Sequence, residues 1–201
     1  MIRALYGGTF DPVHAGHVAV VRLLRERRLA EVVHVAVAWQ SPLKADLPGA
    51  PAADRLRMVE LALGGQRGVV VESGELAQPR PSFTVETLAR LVAEHPGARW
   101  RLVIGADAAA DFARWRDPAR LLRLAEPLVV ARGPVVLAPP LAGRGVVVGD
   151  FDHPASATSV RTLLAAGRLP GPELLPAAVA DYIVARGLYG WPAPPPGKES
   201  P

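Results

Sequence analysis

The residues best suited to chemistry lie near the amino terminus, in the stretch GGTFDPVHAGH at 7–17. Its two glycines would let backbone N–H groups approach a phosphate closely. Its two histidines, His14 and His17, are three residues apart, so their Cβ atoms would lie about 5–6 Å apart on one side of a helix. Imidazoles placed there can donate hydrogen bonds to phosphate oxygens. The stretch therefore predicts a phosphate site; the alternative is that both histidines only cap a helix and bond to neighbouring carbonyls.

A second polar stretch, ASATSVR at 155–161, precedes another apolar helical pattern. Ser156 and Thr158 are suited to cap that helix. A helix start also presents free N–H groups, and together with the hydroxyls and the Arg161 guanidinium these can bind a polyanion. A cap and a phosphate site are compatible, so the stretch supports both interpretations.

Strand and helix patterns alternate along the chain, and the strand patterns are continuous apolar runs such as VVHVAVA. Strands are predicted over 2–6, 32–38, 68–72, 101–104, 128–131 and 145–148. Helices are predicted over 16–28, 53–63, 82–95, 118–124, 158–166 and 176–186. This alternation predicts an α/β fold with one doubly wound, Rossmann-like parallel sheet, in a single domain with C-terminal helices. Residues 1–190 are the predicted domain, and the proline-rich residues 191–201 are predicted to be a disordered tail.

The glycines and histidines fall at the edge of this sheet where a ligand is expected. Doubly wound sheets bind ligands outside the carboxyl ends of their strands, near the switch point. The first predicted strand runs into Gly7, and the first predicted helix begins near Gly16. The stretch at 7–17 is therefore the strand-to-helix turn at the binding edge, and the helix start adds partial positive charge for an anion.

Composition excludes several classes of protein. The 201 residues contain no cysteine, so disulfides and thiolate metal sites are ruled out. The net charge is +4, but the basic residues are scattered, and Lys44 and Lys198 are the only lysines, which favours a nucleotide enzyme over a nucleic-acid binder. No apolar run approaches the roughly 20 residues of a membrane span. The chain is expected to be cytoplasmic, with no nucleic-acid or membrane partner, and its oligomeric state is not predicted.

The motifs resemble those of a known family. The dinucleotide fingerprint G-x-G-x-x-G and the G-K-[ST] of a Walker loop are both absent at the turn. His14-Ala15-Gly16-His17 instead resembles the H-x-G-H signature of the nucleotidyltransferase α/β phosphodiesterase superfamily, and ASATSVR resembles its I-S-[SA]-T-x-x-R element with alanine for isoleucine. The chain is most similar to the bacterial nicotinate mononucleotide adenylyltransferases, to about Tyr189. The supporting stretches are PSFTVETL at 81–88, IGADAAADFARWRD at 104–117 and ELLPAAVADYIVARGLY at 173–189.

The resemblance implies a role for each matching residue. Catalysis is expected to depend on His14, His17, Lys44 and Arg161. ATP is expected to contact Gly7, Gly8, Thr9, Phe10, His14, His17, Gly105, Asp107, Ser156, Thr158 and Arg161. The pyridine mononucleotide is expected to contact Lys44, Phe83, Thr84, Trp115 and Arg132. Trp115 is flanked by charged residues, which predicts a partly exposed ring able to stack, although single aromatics are more often buried in a core.

The implied reaction joins ATP and nicotinate mononucleotide, with release of pyrophosphate. The mononucleotide phosphate would attack the α-phosphorus of ATP in line, without a general base, and catalysis would consist of positioning and charge stabilisation. Mg²⁺ is expected as cofactor, bound mainly through the ATP phosphates, and no protein ligands to it are predicted.

One departure from the family bears on the substrate. The family commonly has P-P-H-[KR] after the second strand, whereas this chain has Ser41-Pro42-Leu43-Lys44. Nicotinamide mononucleotide therefore remains an alternative substrate. Pantetheine phosphate is another, although that subfamily usually has threonine at position 14. A nucleotide-binding regulatory protein without turnover is the alternative of a different class.

Overall fold

A computed structural model describes residues 1–42, 49–77 and 80–192. Lys44, the departure at Leu43 and the tail from residue 193 onward lie outside the described residues. Within these ranges the chain forms one six-stranded sheet in the order β3-β2-β1-β4-β5-β6, and every pair of neighbouring strands is parallel. The strands are β1 (Ile2–Gly8), β2 (Val32–Val37), β3 (Val69–Glu72), β4 (Arg99–Gly105), β5 (Glu126–Val130) and β6 (Val146–Val148). The predicted doubly wound α/β fold is confirmed.

All six predicted helices are present. The described helices are α1 (Ala15–Glu26), α2 (Ala52–Leu63), α3 (Thr84–Glu94), α4 (Ala106–Ala110), α5 (Pro118–Leu124), α6 (Ala157–Ala165) and α7 (Ala177–Arg186). The short helix α4 was not predicted. Single 3₁₀ turns lie at 74–77, 112–114 and 188–190. None of the helices in the described part of the chain is long and apolar enough to cross a membrane.

Several element ends differ from the predictions. The prediction that β1 stops before the glycines was wrong, because Gly7 and Gly8 still pair with Ala36 and Val37 of β2. Helix α1 ends two residues early, and Arg28 takes a left-handed backbone with φ of 53°. Helix α3 begins at Thr84 rather than Ser82.

The strands are mostly apolar because both faces of the sheet are covered. Ala4 belongs to a buried cluster with apolar residues of α1, α2, α6 and α7, whereas its neighbour Leu5 belongs to a second cluster with α3 and α5. Successive side chains of a strand point to opposite faces, so these are the two layers of a doubly wound domain. The chain runs from β1 outward to β3 and then returns to β4 beside β1. The carboxyl ends of β1 and β4 therefore form the switch point where a ligand is expected.

Candidate functional site

The turn between β1 and α1 has an unusual backbone. Phe10 takes φ of 49°, and the bond between Asp11 and Pro12 is cis. A left-handed conformation costs a residue with a side chain roughly 1–2 kcal/mol, and burial of the Phe10 ring, 2% exposed, holds it there. The ring packs edge-on against Tyr6, with centroids 5.7 Å apart, and against His17, with centroids 4.9 Å apart. The Phe10 ring thus packs against the His17 ring and supports it.

Distant parts of the chain fix this turn through Asp11. Its carboxylate accepts hydrogen bonds from the backbone N–H groups of Gly49 (2.7 Å) and Ala50 (3.0 Å) and from the hydroxyl of Tyr189 (2.8 Å). Its carbonyl oxygen accepts a hydrogen bond of 2.7 Å from Nη1 of Arg161. Arg161, predicted as a phosphate ligand, therefore also supports the turn. Asp11 was not predicted as a site residue, and its partners are 38 to 178 positions away.

A buried guanidinium joins the same turn to the segment after β2. Arg55 of α2 is 1% exposed. It donates to the carbonyl oxygens of Thr9 (2.6 Å), Ala38 (2.6 Å), Trp39 (2.8 Å) and Ala50 (3.1 Å). The residues just before and just after positions 43–48, which include Lys44, are thus held against the turn between β1 and α1.

The two histidines form a stacked pair at the start of α1. Their ring centroids are 3.7 Å apart and the ring planes are inclined by 28°. His14 precedes the first helical residue, and its backbone N–H donates to Nδ1 of His17 at 3.1 Å. Because Nδ1 accepts this bond, the neutral His17 ring carries its proton on Nε2, which is a donor. The expectation that both rings lie on one side is confirmed.

His14 lies in a cationic environment. It is 8% exposed, and its Nδ1 has no hydrogen-bond partner among the described residues. Burial, together with the positive charge of His153 and Arg132, lowers the pKa of His14 from 6.5 to about 4. Arg132 also donates to the carbonyl oxygen of His153. The structure thus places Arg132, predicted on the mononucleotide side, at the histidine end of the site.

The start of α6 adjoins the start of α1. The Ser156 hydroxyl accepts from the N–H of Ser159 at 3.1 Å, and the Ser159 hydroxyl accepts from the N–H of Ser156 at 3.2 Å, so the predicted cap is confirmed. A Cβ on Gly16 would lie 3.0 Å from Nδ1 of His14 and 3.3 Å from the carbonyl oxygen of Ala155. Glycine is therefore what allows the two helix starts to approach. Two sets of N–H donors and two partial positive charges meet beside the histidines.

An open cleft of about 560 Å³ lies at the ends of β1 and β4. Eight residues predicted to bind ATP or the mononucleotide line it, namely Gly7, Gly8, Thr9, Phe83, Thr84, Gly105, Asp107 and Trp115. Trp115 is half-buried, as expected from its charged neighbours, and its indole Nε1 has no partner among the described residues. The cleft is large enough for a small planar ligand.

Residues that were not predicted shape one wall of the cleft. The Arg116 guanidinium lies 4.4 Å from the centroid of the Phe83 ring, a cation–π contact. Arg116 also pairs with Glu86 at 3.0 Å, and Glu86 pairs with Arg80 at 2.7 Å. In the sequence, only the charged residues on either side of Trp115 indicate that a charged wall lies here.

The low pKa of His14 makes stability depend on pH. Between pH 6.5 and about 4 the unfolded chain binds a proton at His14 that the folded chain does not, so the free energy of unfolding falls as the pH falls through this window. Above pH 6.5 protonation of His14 does not reduce the free energy of unfolding, whereas at pH 5 it lowers this free energy by about 2 kcal/mol. We expect the variant His14→Gln to lose correspondingly less stability between pH 7 and pH 5, as measured by urea unfolding. Parallel profiles for the two proteins would contradict the shift.

Comparisons with known proteins agree with this architecture. Residues 5–163 match the family described as cytidylyltransferase-like. A relative from Gloeobacter violaceus, named a probable nicotinate-nucleotide adenylyltransferase, is 37% identical over 94% of this chain and 96% of its own. A relative of the same name from Chlorobium luteolum is 38% identical over 92% of this chain and 97% of its own. The chain belongs to the nicotinate-nucleotide adenylyltransferases of the cytidylyltransferase-like family. This confirms the resemblance to the nicotinate mononucleotide adenylyltransferases that the motifs indicated.

A solved structure of this adenylyltransferase family has the same fold. The nicotinic acid mononucleotide adenylyltransferase of Plasmodium falciparum, solved in complex with NaAD, superposes with a TM-score of 0.74. The match covers 94% of this chain and 98% of the parasite chain at 16% identity. At that identity the likeness establishes the common fold of the two adenylyltransferases.

Proposed function

We propose that the chain joins ATP and nicotinate mononucleotide into nicotinate adenine dinucleotide, a step of NAD biosynthesis, and releases pyrophosphate. The observation that carries this proposal is the stacked pair of His14 and His17 at the joined starts of α1 and α6. That pair stands at one end of the site, and a cleft lined by Phe83, Thr84 and Trp115 stands at the switch point beside it. A polyphosphate site and a ring site side by side are what this reaction requires. The names of the two relatives support the same chemistry.

The reaction needs no general base. A phosphate monoester is already nucleophilic at neutral pH, so its oxygen attacks the α-phosphorus in line while the bond to the bridging oxygen of pyrophosphate breaks. The enzyme's task is to hold the two phosphates in line and to stabilise the charge that develops. We assign that stabilisation to Nε2–H of His17, whose orientation is fixed by the bond from His14 N–H to Nδ1. Before ATP binds, His14 is a neutral ring at pH 7, because burial and its cationic neighbours lower its pKa to about 4.

The leaving pyrophosphate would lie at the start of α6. The N–H groups of the first turn and the Thr158 hydroxyl would provide donors there, and Arg161 would provide charge. The Ser156 hydroxyl caps the helix and donates to Oγ of Ser159 at 2.9 Å, so its role would be to hold the helix start in place. Arg161 uses one Nη1–H for the carbonyl of Asp11, and a guanidinium has five N–H donors in all. Lys44, outside the described residues, is proposed to neutralise the triphosphate as well.

Mg²⁺ is part of the proposal, and it would arrive with ATP. The charged side chains beside the histidine pair are cationic, and no three His, Asp or Glu side chains converge on one point within the described ranges. This donor set fits a magnesium ion held by phosphate oxygens and water rather than by a protein cage. Bound there, the ion would neutralise phosphate charge. Because ATP is available in the cytoplasm, we propose that the enzyme works in that compartment.

Trp115 is proposed to stack on the pyridine ring of the mononucleotide. Replacing it with alanine is expected to raise the KM for nicotinate mononucleotide about 10- to 100-fold, because aromatic stacking on a base is worth about 1–3 kcal/mol. The KM for ATP should change by less than about threefold. Steady-state kinetics with each substrate varied in turn measure both values. Trp115→Phe, which keeps an aromatic face, is the control, and an equal rise in both KM values for Trp115→Ala would contradict the assignment.

The function is tested by pyrophosphate release from ATP and Mg²⁺ with three acceptors in parallel: nicotinate mononucleotide, nicotinamide mononucleotide and phosphopantetheine. We expect strong preference for nicotinate mononucleotide, since the cleft wall carries Arg116 and the free N–H groups at the start of α3. Preference for the nicotinamide compound would show that Leu43 has changed specificity. Turnover with phosphopantetheine alone would overturn the substrate, and ATP binding without turnover would mark a regulatory protein.

A further inference from the structure

His153 lies between β6 and α6 and is outside every motif discussed so far. Its Nδ1 accepts the backbone N–H of Ala155 at 3.2 Å, so the neutral ring carries its proton on Nε2. The ring stacks on Phe151, with centroids 6.3 Å apart and planes inclined by 15°. Its carbonyl oxygen is held by Arg132. The ring of His153 is therefore fixed in orientation, with a donor atom on the side opposite Ala155.

A short chain of contacts joins His153 to the reacting histidines. Ala155, whose N–H binds the His153 ring, places its carbonyl 3.3 Å from the position of a Cβ on Gly16. That same position is 3.0 Å from Nδ1 of His14. Arg132, which donates to the carbonyl oxygen of His153, is one of the groups whose charge lowers the pKa of His14. His14, Arg132 and His153 therefore lie in the same part of the site, at the start of α6.

The carboxylate that a backbone bridge brings beside Arg132 is already paired with another arginine. Asp150, whose backbone bridges to Arg132, has its carboxylate paired with Arg27 at 2.6 and 2.8 Å. Cation-forming groups that converge around a half-buried point repel each other unless an anion lies between them. The starts of two helices point their N–H donors at the same region. The arrangement is that of a polyanion site.

We propose that His153 is a further ligand of the ATP triphosphate, donating from Nε2 to the phosphates that leave as pyrophosphate. The proposal rests on the proposed function and assigns a residue to its leaving-group side. His153 lies against α6 and is not among the residues that line the cleft with Phe83 and Trp115. It forms and breaks no covalent bond; it positions the leaving group and balances its charge.

Two variants distinguish the effect of the Nε2–H donor of His153 from the effect of its aromatic ring. His153→Phe keeps the ring and its stacking on Phe151 but has no donor, whereas His153→Gln keeps an N–H donor on a side chain of similar reach. We expect His153→Phe to raise the KM for ATP by about tenfold or more, the value of a hydrogen bond to a charged group. The KM for nicotinate mononucleotide should change by less than twofold. His153→Gln should retain most of the affinity for ATP.

A binding measurement tests the inference separately from turnover. Inorganic pyrophosphate is titrated into each protein by calorimetry, and His153→Phe should bind it about tenfold more weakly than the wild type and His153→Gln. His95→Phe is the matched control, because His95 packs near His34 and Trp100 in a different part of the fold. Equal pyrophosphate affinity in the wild type and His153→Phe, or an equal rise in both KM values, would overturn the proposal. If no acceptor supports turnover but pyrophosphate binding still depends on His153, the proposed reaction fails and this anion site stands.

Discussion

Replacing His17 with alanine is expected to lower kcat for dinucleotide formation by about 10²- to 10³-fold, the usual effect of removing one preorganised donor to a developing charge. The KM for either substrate should change by only a few-fold. The reason is geometric: Nδ1 of His17 accepts the N–H of His14, and Phe10 packs edge-on against the ring. The remaining N–H therefore has a fixed direction and needs no reorganisation as the α-phosphate gains charge.

The experiment is steady-state pyrophosphate release, with kcat and both KM values measured for the wild type and two variants. His17→Gln, which can still donate an N–H, should recover part of the loss in kcat. His95→Ala is the control for loss of a histidine elsewhere. A rise in KM as large as the fall in kcat would mean that His17 binds the ground state as strongly as the transition state, and the proposed role would be wrong.

Replacing Arg55 with methionine is expected to lower the free energy of unfolding by about 3–5 kcal/mol, because four carbonyl oxygens lose their donor at once and each unsatisfied buried acceptor costs about 1–3 kcal/mol. The guanidinium is 1% exposed and serves the carbonyls of Thr9, Ala38, Trp39 and Ala50. Methionine fills a similar length but leaves these partly or fully buried acceptors without their donors. For a chain of this size the melting temperature should fall by roughly 6–20 °C.

Arg57 provides a matched control on the same helix. Its side chain is 55% exposed and pairs with Glu60 at 3.2 Å, so Arg57→Met should change stability by less than about 1 kcal/mol. Urea unfolding of both variants gives the comparison. Arg55→Lys should fall between them, because an ammonium has only three donors and cannot match four carbonyls. A loss below 1 kcal/mol for Arg55→Met would show that these carbonyls find other donors.

The strand and helix order could be predicted because burial on both faces leaves a strong pattern. A parallel strand such as β2 is apolar at successive positions, and amphipathic helices such as α3 separate the strands. Helix α4 was missed, since ADAAA is too short to show a helical period. The ends of β1 depended on pairing with β2, which no local pattern reveals.

The site was predictable where its geometry is local. His14 and His17 are three residues apart, and Ser156 caps the helix that it begins, so spacing alone places them. Asp11 could not be found in this way, because its partners come from remote parts of the chain. For Arg55 a signal existed. It lies three and four residues before the buried Met58 and Val59, on the apolar side of α2, where a cation requires acceptors.

The hydrogen bond between Tyr189 and Asp11 has a consequence for biosynthesis, because 178 positions separate the two residues. At about 5–20 residues per second, roughly 9–36 s pass on the ribosome between the synthesis of the turn and that of Tyr189. Arg161, which holds the carbonyl of Asp11, also emerges late. During most of that interval the turn between β1 and α1 lacks the hydrogen bonds that Arg161 and Tyr189 make to Asp11. The turn therefore takes its final shape only after Tyr189 has been synthesised, and ATP can stabilise the nascent chain only from that point on.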